Sequence, residues 1–188
     1  MGGRYHLLTD TAGYIFIPAI RGVGEGRQGT PASIAKINTE ELASEQYELD
    51  CAGAFGELVN YAAKGHTAEL LGSEKINKLP CYKIRMKLKT GQTVTYFIDS
   101  QTFLVKQVEA TGEMAANLTG FGSMMKAFGR DTRKDKAVIN IKEYQDFNGI
   151  KYPVKLTMSL GAVESEVENT TIKVNEALDE KWYKIDKV

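Results

Sequence analysis

Polar and apolar side chains alternate most strictly between Ile150 and Leu160. The even positions are Ile150, Tyr152, Val154, Leu156, Met158 and Leu160, and the odd ones are Lys151, Pro153, Lys155, Thr157 and Ser159. A period of two puts alternate side chains on opposite faces of a strand, so this stretch predicts a strand with one apolar and one polar face. The pattern recurs in "CYKIRMKL", where Tyr82, Ile84, Met86 and Leu88 alternate with Lys83, Arg85 and Lys87. "KTGQ" and "DSQT" are turn sequences that fold the next runs, "TVTYFID" and "FLVKQVEA", back as antiparallel neighbours. "TAELLGSEKI" precedes this meander, and "AVINIKEYQDF", "IKYPVKLTMSL" and "VESEVENTTIKVN" follow it. "FNGI" predicts a tight hairpin, because Asn-Gly tolerates positive φ at both central positions. Nearer the start, "RYHLL" and "GYIFIPAI" read as two strands around the turn "TDTAG".

Two stretches break this period. Residues 33–65 predict helix, with Thr39 as N-cap, Phe55, Leu58, Val59 and Ala62 at helical spacing, and Gly65 as the stop. Gly53 and Gly56 divide the run, so two helices are expected rather than one. The second stretch, "TGEMAANLTGFGSMMKAFGRDTRKDK", carries Met114, Met124, Met125, Phe121 and Phe128. It reads equally as an amphipathic core helix or as an adaptable lid of Met and Phe side chains, which repack around irregular shapes. The expected fold class is α+β: a predominantly antiparallel sheet with helices from residues 32–64 on its apolar face, in one domain over residues 1–188.

Composition narrows the function. A chain of 188 residues with 43% hydrophobic content can bury a core without staples. Lys+Arg and Asp+Glu both number 24, so no basic excess points to a nucleic-acid partner, and overall charge gives no pull toward an anionic membrane. No apolar run approaches the roughly 18 residues of a membrane span. "MGGRYHLLTD" has no apolar signal core, and His6 stands where a myristoylation signal wants Ser or Thr. The abrupt opening on a strand-like run suggests a natural start further upstream.

Most candidate chemistry fails on context. "GEGRQG", Gly24 to Gly29, matches the dinucleotide fingerprint, with Thr30 and Pro31 placed to open a helix and Asp50 at a plausible ribose distance. A Rossmann half needs alternating strands and helices, whereas this chain continues as hairpin upon hairpin, and Pro18 interrupts what should be a fully paired strand. A surface loop is the better reading. His6 and His66 are the only histidines and neither has a ligand partner at metal spacing, so no metal and no cofactor is expected. No nucleophile elbow occurs. Cys51 and Cys81 read as buried small hydrophobes before they read as a disulfide. The acceptor patterns "NLT" and "NTT" are weak signals.

Taken together, "ELLGSEKIN", the paired "CYKIRMKL" and "TYFIDSQTFLV" runs, "FNGIKYP", the earlier "GYIFIP" and the closing "VNEALDEKWYKI" resemble the LolA/LolB-like superfamily of periplasmic lipoprotein carriers, over roughly residues 13 to 185. The resemblance implies a strongly curved antiparallel sheet, a half-barrel, with helices in its concave side and acyl chains between the two layers. It implies a non-enzymatic carrier of lipid or lipoprotein in the periplasm or at the outer membrane of a diderm bacterium. The apolar cavity would be lined by Tyr82, Ile84, Met86, Tyr96, Ile98, Tyr152, Leu156 and Met158, with Met114, Met124, Met125 and Phe128 as lid. For each lining residue the plainer alternative is ordinary core. The rival function is an envelope sensor or protein-interaction module with the same fold and no lipid. Family members carry an N-terminal helix and further strands that have no counterpart here, so self-association through a sheet edge near residues 4–20 is also expected.

Overall fold

The structure, a computed structural model, describes residues 5–9, 11–17, 19, 29, 31–39, 42, 55–119, 131–174, 176 and 177. The chain groups into two compact units: Met1–Leu49 with Glu176–Val188, and Asp50–Asn175.

In the first unit, β1 (Tyr5–Leu8), β2 (Gly13–Ile17) and β3 (Ser33–Lys36) form an antiparallel sheet in the order β1-β2-β3. The turn between β1 and β2 is held by Thr9, whose Oγ1 accepts from the Ala12 N–H at 3.0 Å and donates to the Ala12 carbonyl at 3.0 Å. β2 is paired on both sides, with Phe16 opposite Tyr5 on one flank and Ile34 on the other. Gly13 sits where any Cβ would come within 2.8 Å of Leu42 Cδ1, so the small residue permits close packing against Leu42 and Ile37. Over Ser33–Lys36 the expected helix is replaced by a strand, while Thr39 and Leu42 are helical, with Leu42 N–H bonded to the Asn38 carbonyl at 2.8 Å. The residues of that strand find in β2 a ready row of hydrogen-bond partners, and tertiary pairing overrides a weak local helical preference. An antiparallel β2 also removes the parallel βαβ setting that a dinucleotide site on "GEGRQG" requires, although that motif itself lies outside the described residues apart from Gly29.

The second unit is a meander of seven strands: β4 (Thr67–Ile76), β5 (Leu79–Lys87), β6 (Thr93–Asp99), β7 (Val105–Thr111), β8 (Lys136–Phe147), β9 (Ile150–Leu160) and β10 (Val163–Glu168). Every strand pairs antiparallel with its sequence neighbour, and the sheet is open, with β4 and β10 as its edges. This is the order the alternating runs and turn signals predict. The Asn148–Gly149 turn has φ of 55° and 84°, as an Asn-Gly hairpin should. Two boundaries differ: Phe103, read as strand, lies in the β6–β7 turn with φ 57°, and β10 ends at Glu168, short of the "NTTIKV" that the sequence reading joins to it.

A short helix, α1 (Glu113–Leu118), joins β7 to β8 and packs against both, with Met114, Ala115, Ala116 and Leu118 buried. The second predicted helical block is not a helix where described: residues 55–65 form successive turns. Val59 N–H bonds to the Phe55 carbonyl and Lys64 N–H to that of Asn60, but Asn60 has φ 52° and breaks the run between them. Gly65, at φ 79°, ends it as expected. The consequence is that Phe55 and Leu58 pack on the core while Val59, Tyr61 and Ala62 face outward.

Candidate functional site

Register aligns the apolar residues of separate strands into rows across one face of the sheet. One row runs Leu70–Ile84–Tyr96–Val108–Ile139–Met158–Ser165, from edge to edge. Beside it runs Ala68–Met86–Val94–Ala110–Ala137–Leu160–Val163. The opposite face carries Glu69–Arg85–Thr95–Glu109–Val138–Ser159–Glu164, which is polar nearly throughout. That face is tied by exposed ion pairs, Arg85 to Glu69 at 2.6 Å and Lys83 to Glu74 at 2.9 Å. Lys83 also stands over the buried Phe97 ring at 5.3 Å.

Coverage of the apolar face is uneven. Its centre is closed: Tyr96, Val94, Val108 and Ala137 are fully buried, in one cluster with Met114, Ala115 and Leu118 of α1. Ile84, Ile98, Leu156 and Met158 lie partly buried around that cluster. Its margins are open, with Leu70 at 62% and Val163 at 67% exposure. β9 shows the gradient within one strand: Leu160 and Val154 are buried, Tyr152 is 43% exposed and Ile150 is 50% exposed. The apolar stripe that opens the sequence reading is therefore core at one end and accessible surface at the other.

Residues 55–58 cover the β6–β9 region from above. The Phe55 ring lies 6.5 Å from that of Tyr144 and meets Tyr152 edge-on at 6.2 Å. Between Phe55 and Leu58 stands Glu57, completely buried. The Tyr96 hydroxyl donates to Glu57 Oε2 at 2.5 Å, while Oε1 has no hydrogen-bond partner among the described residues. Burial pushes the Glu57 carboxyl above the ordinary carboxylate range, and the Tyr96 hydrogen bond opposes that shift. The Tyr144 hydroxyl donates to the Val105 carbonyl at 2.7 Å, and burial drives its pKa up.

The eight expected lining residues divide by this geometry. Tyr82, Ile84, Met86, Tyr96 and Ile98 come together on adjacent β5 and β6, and Leu156 and Met158 face the same side from β9. Met86 and Tyr96 are buried in the core, at 1% and 0% exposure. Tyr82 is stacked on Phe103, with ring centroids 6.5 Å apart. Met114, expected in a lid, is a core residue of α1 because the amphipathic period of that helix turns it onto β7 and β8. Met124, Met125 and Phe128 lie outside the described residues. The sequence reading passes over Val108 and Ile139, although "AVINI" and "VKQVEA" carry the same alternation. Glu57 was also missed, and nothing in its local sequence marks it as the one glutamate of that segment to be buried.

Among the described residues no cluster of His, Cys, Asp and Glu is arranged to hold a metal. Buried His66 accepts the Lys89 N–H at Nδ1. Cys81 is a free buried thiol whose pKa burial pushes up, and Cys51 lies outside the described residues. Asn169 of "NTT" is engaged through Nδ2 with the Pro153 carbonyl at 2.9 Å. No helix among the described residues is long and apolar enough to cross a membrane.

No family model and no curated protein matches the chain. Solved structures do. A LolA superfamily protein from Nitrosomonas europaea superposes with a TM-score of 0.52 over 97% of this chain and 70% of that one, at 13% identity. A DUF1329 family protein from Desulfovibrio piger matches over 87% of this chain and 67% of that one, at 11% identity and a TM-score of 0.40, too low to carry any argument. At such identities the likeness speaks for architecture alone, and on that ground the open antiparallel meander with its one apolar face is a LolA-like fold.

Proposed function

We propose that the protein is an extracytoplasmic carrier that shelters the acyl chains of a lipid or lipoprotein against the apolar face of the seven-stranded sheet. The observation that carries this reading is the uneven cover of that face. A sheet serving only as core would close over its whole apolar row, whereas here the row continues past the cover onto both edges. On β9 the apolar positions from Ile150 to Leu160 span about 33 Å at strand rise; Leu160 and Val154 are closed as core, and an acyl chain would lie along the half-buried Leu156 and Met158 and the exposed Tyr152 and Ile150. The LolA-like fold supports the reading, in which the sheet curves as a half-barrel and α1 with residues 55–58 forms the inner layer. On this reading the protein binds and releases its ligand without transforming it and works in the periplasm or at the outer membrane of a diderm bacterium.

The half-buried positions are the ones that would meet ligand: Ile84, Ile98, Leu156 and Met158 with Tyr152 at the mouth. A fluorescent fatty-acid probe tests this. Met158→Trp should lower probe affinity about tenfold, as expected when bulk enters an occupied apolar site, with the melting temperature nearly unchanged. A wild-type protein that never binds the probe, or a Met158→Trp variant that unfolds, would remove the mechanism.

A further inference from the structure

Among the described residues Glu57 is the one acid at 0% exposure, and it stands between Phe55 and Leu58, which pack against the apolar core cluster. A carboxylate is ordinarily buried only against cations or several hydrogen-bond donors. This carboxyl has the Tyr96 hydroxyl of β6 on Oε2, and Oε1 has no donor among the described residues. The charged group acting on it is Lys64 of its own segment, whose Nζ donates to the Gly56 carbonyl at 2.9 Å. Burial outweighs the pull of Lys64 and Tyr96 toward the ionised form. From β8 and β9 the rings of Tyr144 and Tyr152 face the segment through Phe55, and the Tyr144 hydroxyl is turned to the Val105 carbonyl. α1 contributes apolar side chains to the same cluster.

The segment that carries Glu57 is lightly held. Its backbone hydrogen bonds stay local: Leu58 and Val59 N–H to the Phe55 carbonyl, Lys64 to Asn60, Gly65 to Ala62 and His66 to Tyr61. None of these bonds reaches a strand, so residues 55–58 rest on the sheet through side chains. Asn60, at φ 52°, interrupts the run, and Gly65, at φ 79°, ends it just before β4. A segment without ladder hydrogen bonds opens more readily than the strands beneath it. Closed, its carboxyl is stable only when neutral. Lifted into water, the same carboxyl ionises as any glutamate does.

We infer that Glu57 is a proton-operated latch: with its proton it keeps residues 55–58 on the sheet, and without it the segment lifts and uncovers Tyr96. The proton passes to solvent as the segment opens and returns as it closes. The accessible part of the apolar face therefore widens as pH rises. Opening should be flat below about pH 4.5, the ordinary glutamate value, and rise by up to about tenfold per pH unit above it. It should level off past the raised value of the closed form. The latch goes beyond the carrier reading and does not depend on it, since no ligand takes part.

The test is amide hydrogen exchange of the whole chain, read residue by residue by NMR from about pH 4.5 to 8 and corrected for the intrinsic pH dependence of exchange. The Val59 and Lys64 amides report on the segment, and the Val108 amide, on β7 opposite Tyr96, reports on the sheet. At every pH the segment should open more often than the sheet, and its opening should grow at least about tenfold over the range. Glu57→Gln is neutral throughout and should flatten that rise. Tyr96→Phe removes the donor to Oε2 and should carry the levelling-off to higher pH. Three outcomes would each overturn the latch: segment opening that ignores pH, segment amides that exchange only as fast as Val108, or a rise that persists in Glu57→Gln. The first two are read on wild type, so the latch can fail even where a variant does not fold.

Discussion

Tyr96 and Met158 stand in the same cross-sheet row, three strands apart, and meet opposite fates. Tyr96 is sealed beneath residues 55–58 with its hydroxyl on Glu57, while Met158 is only partly covered. The alternation that places each on the apolar face is the same. What separates them is the second layer over each: among the described residues it comprises α1, six residues long, and the 55–65 segment, which makes turns in place of a helix. A seven-stranded sheet spans about 29 Å from edge strand to edge strand at ordinary strand spacing, and Leu70 and Val163 at its two edges are exposed. Alternation thus chooses a face, and the covering layer decides how much of that face becomes core.

The largest expected effect sharpens this contrast directly. Met86 is buried and Met158 is partly exposed, so Met86→Ala should cost about 2–5 kcal/mol, the usual range for a buried large-to-small change. Met158→Ala should cost about 1 kcal/mol or less, because part of its surface is already in contact with water. Chemical denaturation of the two variants measures both. Equal losses would mean that the margin is packed as tightly as the centre, and the distinction between core and binding surface would disappear.

A second contrast lies between the two parts of the cover. α1 buries only apolar side chains in the core cluster, whereas residues 55–58 bury a carboxyl whose Oε1 lacks a partner among the described residues. Burial raises the pKa of Glu57 in the folded state above its ordinary value of 4.5. The folded form therefore holds the proton more tightly than the unfolded chain. Its contribution is fully present below about pH 4.5 and is lost as pH rises through the raised folded value. Glu57→Gln keeps the shape and stays neutral, so the variant should gain on wild type as pH climbs toward neutrality. Melting temperatures of the pair across this range decide it. Parallel curves would show that the segment covers the sheet without desolvating its carboxyl.

How much of this was legible in the sequence follows the same physics. Strands β4 to β10 were legible, because period-two patterning and strong turn signals act locally and agree with each other. The apolar face was legible for the same reason, down to Ile84, Ile98, Leu156 and Met158 as neighbours on one side. Burial depth was not, since it depends on which distant segment lands on top: Met86 and Met158 carry the same local signal. Residues 55–65 misled because helical spacing at Phe55, Leu58, Val59 and Ala62 says nothing of Asn60 adopting a positive φ in its midst. Ser33–Lys36 misled because the partner strand, β2, was available to pair it. Phe103 was read as the start of β7, for nothing in "DSQTFLV" announces that an aromatic takes the position where a turn ordinarily has glycine.

The smallest expected effect concerns the polar face, where the edge can be set against the centre once more. Arg85 and Glu69 pair at 2.6 Å on β5 and β4, with side-chain exposures of 47% and 61%. The Glu57–Tyr96 contact on the other face is nearly the same length and wholly buried. Water surrounds the first pair and screens it, and two long side chains lose freedom in holding it, so its net worth should be about 0–1 kcal/mol despite the short distance. A double-mutant cycle with Glu69→Gln and Arg85→Gln should return a coupling of about 0.5 kcal/mol or less, shrinking further as salt is added. The Glu57–Tyr96 pair, probed by Glu57→Gln and Tyr96→Phe, should show the larger coupling and little response to salt, because solvent ions do not reach it. Should the exposed pair prove the stronger of the two, then β4 is held to the sheet by electrostatics, and its open apolar residue Leu70 is no evidence of a margin left free for a ligand.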